Sequence, residues 1–283
     1  MRIAIFSDIH GKILLPFKLV DAYQNETGKK IDLILQCGDV GAFPDLSVLD
    51  KATLRYAEED PDELGFHDDF VREKEEIRSF LDRVDVKMVC VRGNHEDHDF
   101  LDRLEAENPD SDIFPVDAYG KVWFCKSGKP LSFEKNGEKI SFLGIGRIGD
   151  PKNRDNKRYV QDYERREIRK ALKKANGFDL LLTHDKATGN GGVGGMPEIR
   201  FSLDNAFFAY HFHGHTGEPF FERKDSNGKT VTCKIKELEF SKGGALEAGS
   251  MIVLEKKNGK LGEIQKVGQK VLSCATRFGW KYL

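Results

Sequence analysis

The segment Arg92-Gly93-Asn94-His95-Glu96 follows Val86-Lys87-Met88-Val89-Cys90-Val91, an almost uninterrupted apolar run. Such a run predicts a strand buried on both faces, and its end presents an amide, an imidazole and a carboxylate together. Alone, Gly-Asn is also ordinary turn chemistry, because Asn tolerates positive φ. The weight of the segment comes from repetition of the same arrangement elsewhere.

Upstream, residues 2–7 read as a strand ending in Ser7-Asp8-Ile9-His10-Gly11, and Leu14 to Gln24 has helical spacing broken at Thr27-Gly28-Lys29-Lys30. Ile31 to Gln36 is a second apolar strand, ending in Cys37-Gly38-Asp39. An acidic insertion at about 45–85 follows, with a helix expected from about Asp68 to Val84. The order β-α-β-α-β implies a parallel sheet.

Downstream, Val122–Cys125 precedes Pro130–Glu134 and Lys139–Leu143, which flank Lys135-Asn136-Gly137-Glu138, a hairpin signal; a second sheet is expected to start here. Asp162 to Ala175 reads as a charged amphipathic helix stopped by Asn176-Gly177. Phe178–Leu182 is a buried strand ending in Thr183-His184-Asp185, and Phe207–Phe212 is another ending in His213-Gly214-His215. The rest, about 218–283 and including Phe220-Phe221-Glu222-Arg223, reads as strands expected to complete the second sheet. All 283 residues are expected to form one α/β domain.

Apolar residues make up 39% and charged residues 33% of the chain, a globular composition rather than a disordered one. The net charge of −2 is uninformative, but its distribution is not. Residues 56–76 hold ten acids against Arg72 and Lys74, residues 96–112 hold eight against Arg103, and residues 147–174 hold eleven Lys or Arg against five acids. No stretch approaches the roughly 18 apolar residues of a membrane span, and the first apolar run is too short for a signal peptide. A cytoplasmic protein without membrane contact is expected. The five scattered cysteines form no CxxC pair, which argues against a disulfide framework or zinc knuckle.

Five predicted strands thus end in Asp8-Ile9-His10, Gly38-Asp39, Gly93-Asn94-His95, Thr183-His184 and Gly214-His215. Ligands gather at the carboxyl ends of parallel strands, so these sets can converge although they span about two hundred residues. Carboxylate, amide and imidazole donors without thiolates suit Mn, Fe, Zn or similar divalent ions, and Asp39 is well placed to bridge two of them. Each residue also has an ordinary structural reading, Asp8 and Asp39 as caps, Asn94 as a turn residue and His184 as a satisfied histidine. Five such sets in order would need five separate explanations, where a dinuclear site needs one.

This ordered set resembles the calcineurin-like metallophosphoesterase superfamily, whose DxH, GD, GNH, His and GHxH motifs stand here as Asp8-Ile9-His10, Gly38-Asp39, Gly93-Asn94-His95, His184 and Gly214-His215-Thr216-Gly217. The resemblance covers residues 2 to about 217. It implies a four-layered fold with two facing mixed β-sheets flanked by helices, and phosphoester hydrolysis by a hydroxide held between two divalent ions, Mn²⁺ first, with Fe, Zn, Ni or Co as alternatives. It places Asp8 and His10 on one metal, Asp39 as the bridge, Asn94, His184 and His215 on the second metal, and His95 outside the ligand set, where it contacts the phosphate and aids the leaving oxygen.

Two departures stand out. Gly217 occupies the position of the last family histidine, so the first metal loses a ligand and is expected to bind weakly or take water instead. His211 and His213 are candidate replacements, though strand alternation puts them on one face and a ligand role needs local rearrangement. The other departure is Gly38-Asp39-Val40-Gly41-Ala42 in place of GDxxD, which leaves Asp45 or Glu96 to orient His95.

The helical basic stretch 162–174 reads as a solvated face with Glu164 and Glu167 in i, i+3 or i, i+4 pairs. In the loop from Arg147 to Arg158, Arg147 is a candidate substrate contact. Gly189–Gly195 lacks the Lys and Ser or Thr of a P-loop and reads as a flap beside His184, while His67 and His98 read as surface residues. The expected partner is a phosphate ester, whether nucleotide, RNA or small molecule; the rival expectation is a catalytically impaired module on the same fold that recruits proteins.

Overall fold

A computed structural model describes residues 1–175, 177–189 and 194–283. The first sheet contains β1 (Arg2–Phe6), β2 (Leu33–Gln36), β3 (Met88–Cys90), β4 (Ile113–Pro115) and β5 (Val122–Cys125). The second contains β6 (Pro130–Lys135), β7 (Glu138–Ile145), β8 (Gly177–Thr183), β9 (Phe207–His213), β10 (Phe221–Lys224) and β11 (Val231–Lys234). The chain then returns to the first sheet through β12 (Ile252–Lys257), β13 (Lys260–Leu261) and β14 (Gln265–Lys266).

Strands β1, β2, β3 and β5 run parallel, with Ile3 opposite Leu33, Leu35 opposite Val89 and Cys90 opposite Phe124. In the second sheet β7, β8 and β9 run parallel as well. Alternation along each strand distributes side chains between layers. Ile3, Ile5, Leu33 and Leu35 face Leu180, Leu182 and Phe212 between the sheets, whereas Ala4, Phe6, Ile34 and Met88 meet the helices on the outer face. Leu181 and Phe208 point to the other outer face, against Ile168 and Ile199. Burial on both faces is why these strands read as continuous apolar runs.

The helices are α1 (Leu14–Thr27), α2 (Lys51–Ala57), α3 (Gly65–Phe70), α4 (Glu75–Val84), α5 (His98–Glu107), α6 (Asp162–Lys174), α7 (Pro197–Asn205) and α8 (Gln269–Leu272). No helix among the described residues is long and apolar enough to cross a membrane. On α6, Gln161 and Glu164 form a capping box. Lys170 pairs with Glu167 on the surface as expected, whereas Glu164 is buried against Arg147 and Asp162 takes the surface pair with Arg165.

Several sequence expectations change here. The helix expected over 68–84 is two helices, because the Tyr119 hydroxyl reaches between them, accepting from Lys74 N–H at 2.9 Å and donating to the Asp69 carbonyl at 2.9 Å. The C-terminal strands divide between the sheets: β10 and β11 extend the second, while β12 pairs antiparallel with β1 in the first. Strand β5 likewise belongs to the first sheet, so the second begins at β6. Asn176 and residues 190–193, the centre of the expected flap, lie outside the described residues.

Arg147, the candidate substrate contact, lies in the interior rather than on the surface. Its side chain is fully buried, with Nε 3.0 Å from Glu164 and Nη2 3.1 Å from Asp102. Buried Arg92 joins the network, 2.6 Å from both Asp102 and Glu105, and Lys157 reaches Asp102 at 2.8 Å. Opposite charges noted in the sequence at 96–112 and 147–158 thus neutralise one another. His98 is also buried, facing Arg147 at 3.3 Å; burial and that guanidinium push it well below the usual histidine range.

A second buried network ties the insertion to the core. Lys12, with no exposed side-chain surface, lies 2.8 Å from Glu239, 3.3 Å from Asp60 and 3.6 Å from Glu63. Burial, with Glu239 and Asp60 adding to it and Lys12 opposing, raises Glu63 from its ordinary 4.5 to about 7.

Both networks can be tested by stability measurements. Removing one partner of a buried ion pair strands the other, so Arg147→Ala should lower unfolding stability by about 3 kcal/mol or more in urea denaturation; an unchanged midpoint would leave the side chain free for another role. Because the folded state holds the Glu63 proton more tightly than the unfolded chain, its contribution is complete below the unfolded value and lost as pH rises through about 7. Between pH of about 5 and 8, wild type should therefore lose about 2 kcal/mol relative to Glu63→Gln. Parallel stability curves for the two proteins would contradict this origin.

Candidate metal centre

Each site residue lies just beyond the carboxyl end of β1, β2, β3, β8 or β9. The loops are cross-linked by their backbones: Asp8 N–H donates to Gly38 O, Ile9 and His10 N–H donate to Asp39 O, and Gly214 N–H donates to His184 O, all within 3.1 Å. Asp8, His10, Asp39 and His215 adopt positive φ between 41° and 68°, a conformation costly for non-glycine residues that the surrounding bonds sustain. Two glycines make room for the carboxylates. A Cβ at Gly93 would stand 2.0 Å from Asp39 Oδ1, and one at Gly214 would stand 2.2 Å from Asp8 Oδ2.

Two donor groups result. Asp8, His10 and Asp39 have ligand atoms within 4.8 Å of one another, as do Asp39, His184 and His215. Asp39 is common to both. Its Oδ1 also accepts the N–H groups of Asn94 at 2.7 Å and His95 at 2.8 Å. His184 faces the Cys37 carbonyl through Nδ1 at 2.8 Å, leaving Nε2 toward Asn94 Oδ1 at 3.0 Å and Asp39 Oδ1 at 3.2 Å. An imidazole nitrogen facing two oxygens needs a positive charge there, from a proton or a metal ion.

The electrostatics agree. Burial works against ionised Asp39, yet His184 holds it well below the carboxylate range, and His184 is raised to about 9 because Asp39 overrides the effect of burial. Asp8 is raised by burial and by the Asp39 charge, with His184 opposing. His10 and His215 are lowered chiefly by burial, which leaves them neutral with a lone pair to offer. Two adjacent buried carboxylates call for cationic compensation. The donor set therefore fits divalent cations, with Asp8 and His10 on one side of Asp39 and Asn94, His184 and His215 on the other.

His95 is oriented by neither Asp45 nor Glu96. Its Nδ1 lies 2.8 Å from Asp50 Oδ2, while Asp50 Oδ1 caps α2 by accepting from Ala52 and Thr53 N–H. Burial opposes the charged form of His95, but the Asp50 bond and Asp39 raise it above the ordinary histidine value. Asp45 caps the short turn at 46–48 through Ser47 N–H. Glu96 binds the loops together by accepting from Val40, Ala42 and Gly93 N–H. The cap position of Asp50 before Lys51 is legible in sequence; its reach to His95, 45 residues on, is not.

A cavity of about 420 Å³ opens over Asp8, His10, Asp39, His95 and His215. Tyr56, Glu59, Asp60, Glu237, Glu239 and Arg277 also line it, none of which the strand-end pattern marks. His211 and His213 face elsewhere: His211 Nε2 lies 2.9 Å from Thr183 Oγ1, and His213 Nδ1 lies 3.3 Å from the Gly214 carbonyl. His67, half-buried, bonds to the Pro44 carbonyl at 2.7 Å.

The fold and this geometry can be set beside known proteins. A protein of Thermus thermophilus of known structure is similar over 94% of this chain and 99% of its own, with a TM-score of 0.50 and 15% identity. A novel phosphatase of Mycoplasma pneumoniae is similar over 94% and 92%, with a TM-score of 0.48 and 11% identity. At 15% identity the likeness to the Thermus thermophilus protein concerns the fold, and no curated protein matches the sequence. The calcineurin-like phosphoesterase family matches residues 1–219, a stretch that contains all five strand-end motifs. The chain belongs to the calcineurin-like phosphoesterase family.

Proposed function

We propose that the chain hydrolyses a small phosphate ester with the help of two divalent cations, held by Asp8 and His10 on one side of Asp39 and by Asn94, His184 and His215 on the other. The observation that carries this reading is Asp39, the one carboxylate shared by both donor groups. Oxygen and imidazole donors without thiolate favour Mn²⁺, with Fe, Zn, Ni or Co as alternatives. When bound, the ions supply Lewis-acid activation of water and neutralise charge on the phosphoryl oxygens.

The chain's own residues do the rest. Asp50 fixes the His95 ring through Nδ1, which leaves the other ring nitrogen for the substrate in the cavity that His95 lines. Asp50 and Asp39 both favour the protonated ring, so His95 is suited to hydrogen-bond the phosphate and give a proton to the departing oxygen. The Asp50 bond fixes the direction of that donation.

The cavity wall argues for a small substrate. Glu59, Asp60, Glu237 and Glu239 make it acidic, with Arg277 as the cation on the same wall, and an acidic surround repels a polyanion such as RNA. On α6, Arg165 and Lys170 are engaged in surface pairs. Gly217 favours the second reading, an impaired module that binds a protein.

Hydrolysis of aryl phosphate monoesters and diesters with added Mn²⁺ separates the two. Wild type should exceed His95→Ala by about 10²- to 10⁴-fold in kcat, and Asp39→Asn should be inactive. A wild type no faster than both variants across the metal series would rule out the enzyme and leave the binding module.

A further inference from the structure

The geometry points to Glu237 as the ligand that replaces the missing side chain at Gly217, completing the Asp8–His10 side of the metal centre with a carboxylate in place of an imidazole. This rests on the dinuclear reading above. Gly217 follows His215 by two residues, and a Cβ built on it would have Glu237 Oε1 as its neighbour at 3.6 Å. A side chain at 217 would therefore begin in van der Waals contact with the Glu237 carboxylate. Glu237 also lines the same cavity as Asp8, His10, Asp39 and His215.

Its position is fixed by the backbone around it. Ile235 N–H donates to His213 O at 2.8 Å, and Leu238 N–H donates to the carbonyls of Ser7 and Asp8 at 3.2 and 3.3 Å. The segment carrying Glu237 is thereby fastened both to the strand before His215 and to the strand end that carries Asp8.

Neighbouring charges leave this carboxylate free for a cation. Glu239 on the same wall is engaged by Lys12 at 2.8 Å, and Lys236 pairs with Glu247 at 3.7 Å. Among the described residues, no basic side chain forms an ion pair with Glu237. Lys234 is buried, its Nζ has no hydrogen-bond partner, and burial lowers its pKa against the opposing charges of Asp8 and Glu237. Exchanging a neutral imidazole for a carboxylate adds one negative charge to the centre. A harder, more anionic site favours oxygen-preferring ions such as Mn²⁺ over Zn²⁺.

Calorimetric titration of Mn²⁺ into the metal-stripped full chain tests this without any turnover. Wild type should take up two ions. Glu237→Ala and Glu237→Gln should keep one at wild-type affinity and bind the other at least about 10-fold more weakly. Gly217→His combined with Glu237→Ala should recover the second ion, and the Mn²⁺-induced rise in melting temperature should follow the same order. Two ions bound equally well by wild type and both single variants would overturn the role of Glu237 while leaving the dinuclear reading intact. Wild type binding one ion, with no change on losing Glu237, would overturn it too, and a wild type that binds none would overturn both. The Gln variant keeps the side-chain shape, so a folding defect confined to the Ala variant cannot imitate the expected result.

Discussion

A buried carboxylate, Asp39, sits where the strand ends of both sheets converge, and much of the structure is arranged to keep it ionised. Its side chain accepts the N–H groups of Asn94 and His95, its carbonyl accepts those of Ile9 and His10, and His184 approaches from the second sheet. Remove the charge and the loops after β3 and β8 lose a common partner. Keep it, and a neighbouring ionised Asp8 becomes costly unless cations enter. The same carboxylate thus acts as an organising centre for the fold and as the strongest argument for a metal pair.

The acidic insertion has its own place in this arrangement. It looks like a dispensable excursion between β2 and β3, yet Asp50 at its first helix holds the His95 ring, and Asp60 and Glu63 enclose Lys12 behind the cavity. One face of the insertion orients the His95 ring while another closes the cavity wall. Buried ion pairs add little net stability against apolar substitutes, but they fix geometry because each partner is expensive to strand. Arg147, Arg92 and Asp102 do the same on the other side of β3, where they lock α5 to α6.

What the sequence discloses is what local patterns encode. Apolar runs buried on both faces and ending in a ligand are visible as β1, β2, β3, β8 and β9, and the glycines that precede the ligand have a steric reason at 93 and 214. The convergence of Asp8, His10, Asp39, His184 and His215 was legible for that reason, as was the exposed, ion-paired face of α6. Long-range pairings were not. Arg147 carries the same charge whether it faces substrate or Glu164; only the packing of α6 onto the strand decides. The break between α3 and α4 depends on Tyr119, some 45 residues on. The return of β12 to the edge of β1 depends on which sheet still has an open edge, a tertiary fact that alternation cannot carry. Glu237 follows an apparently ordinary strand and acquires meaning only beside Gly217.

The central claim is that Asp39 joins two cations into one centre, and electron paramagnetic resonance of the Mn²⁺-loaded protein addresses it most directly. Two Mn²⁺ ions sharing a carboxylate at about 3.5 to 4 Å should give an exchange-coupled spectrum that is lost in Asp39→Asn. Only the six-line signal of isolated Mn²⁺ at full loading, or a coupled spectrum that survives in Asp39→Asn, would contradict the account.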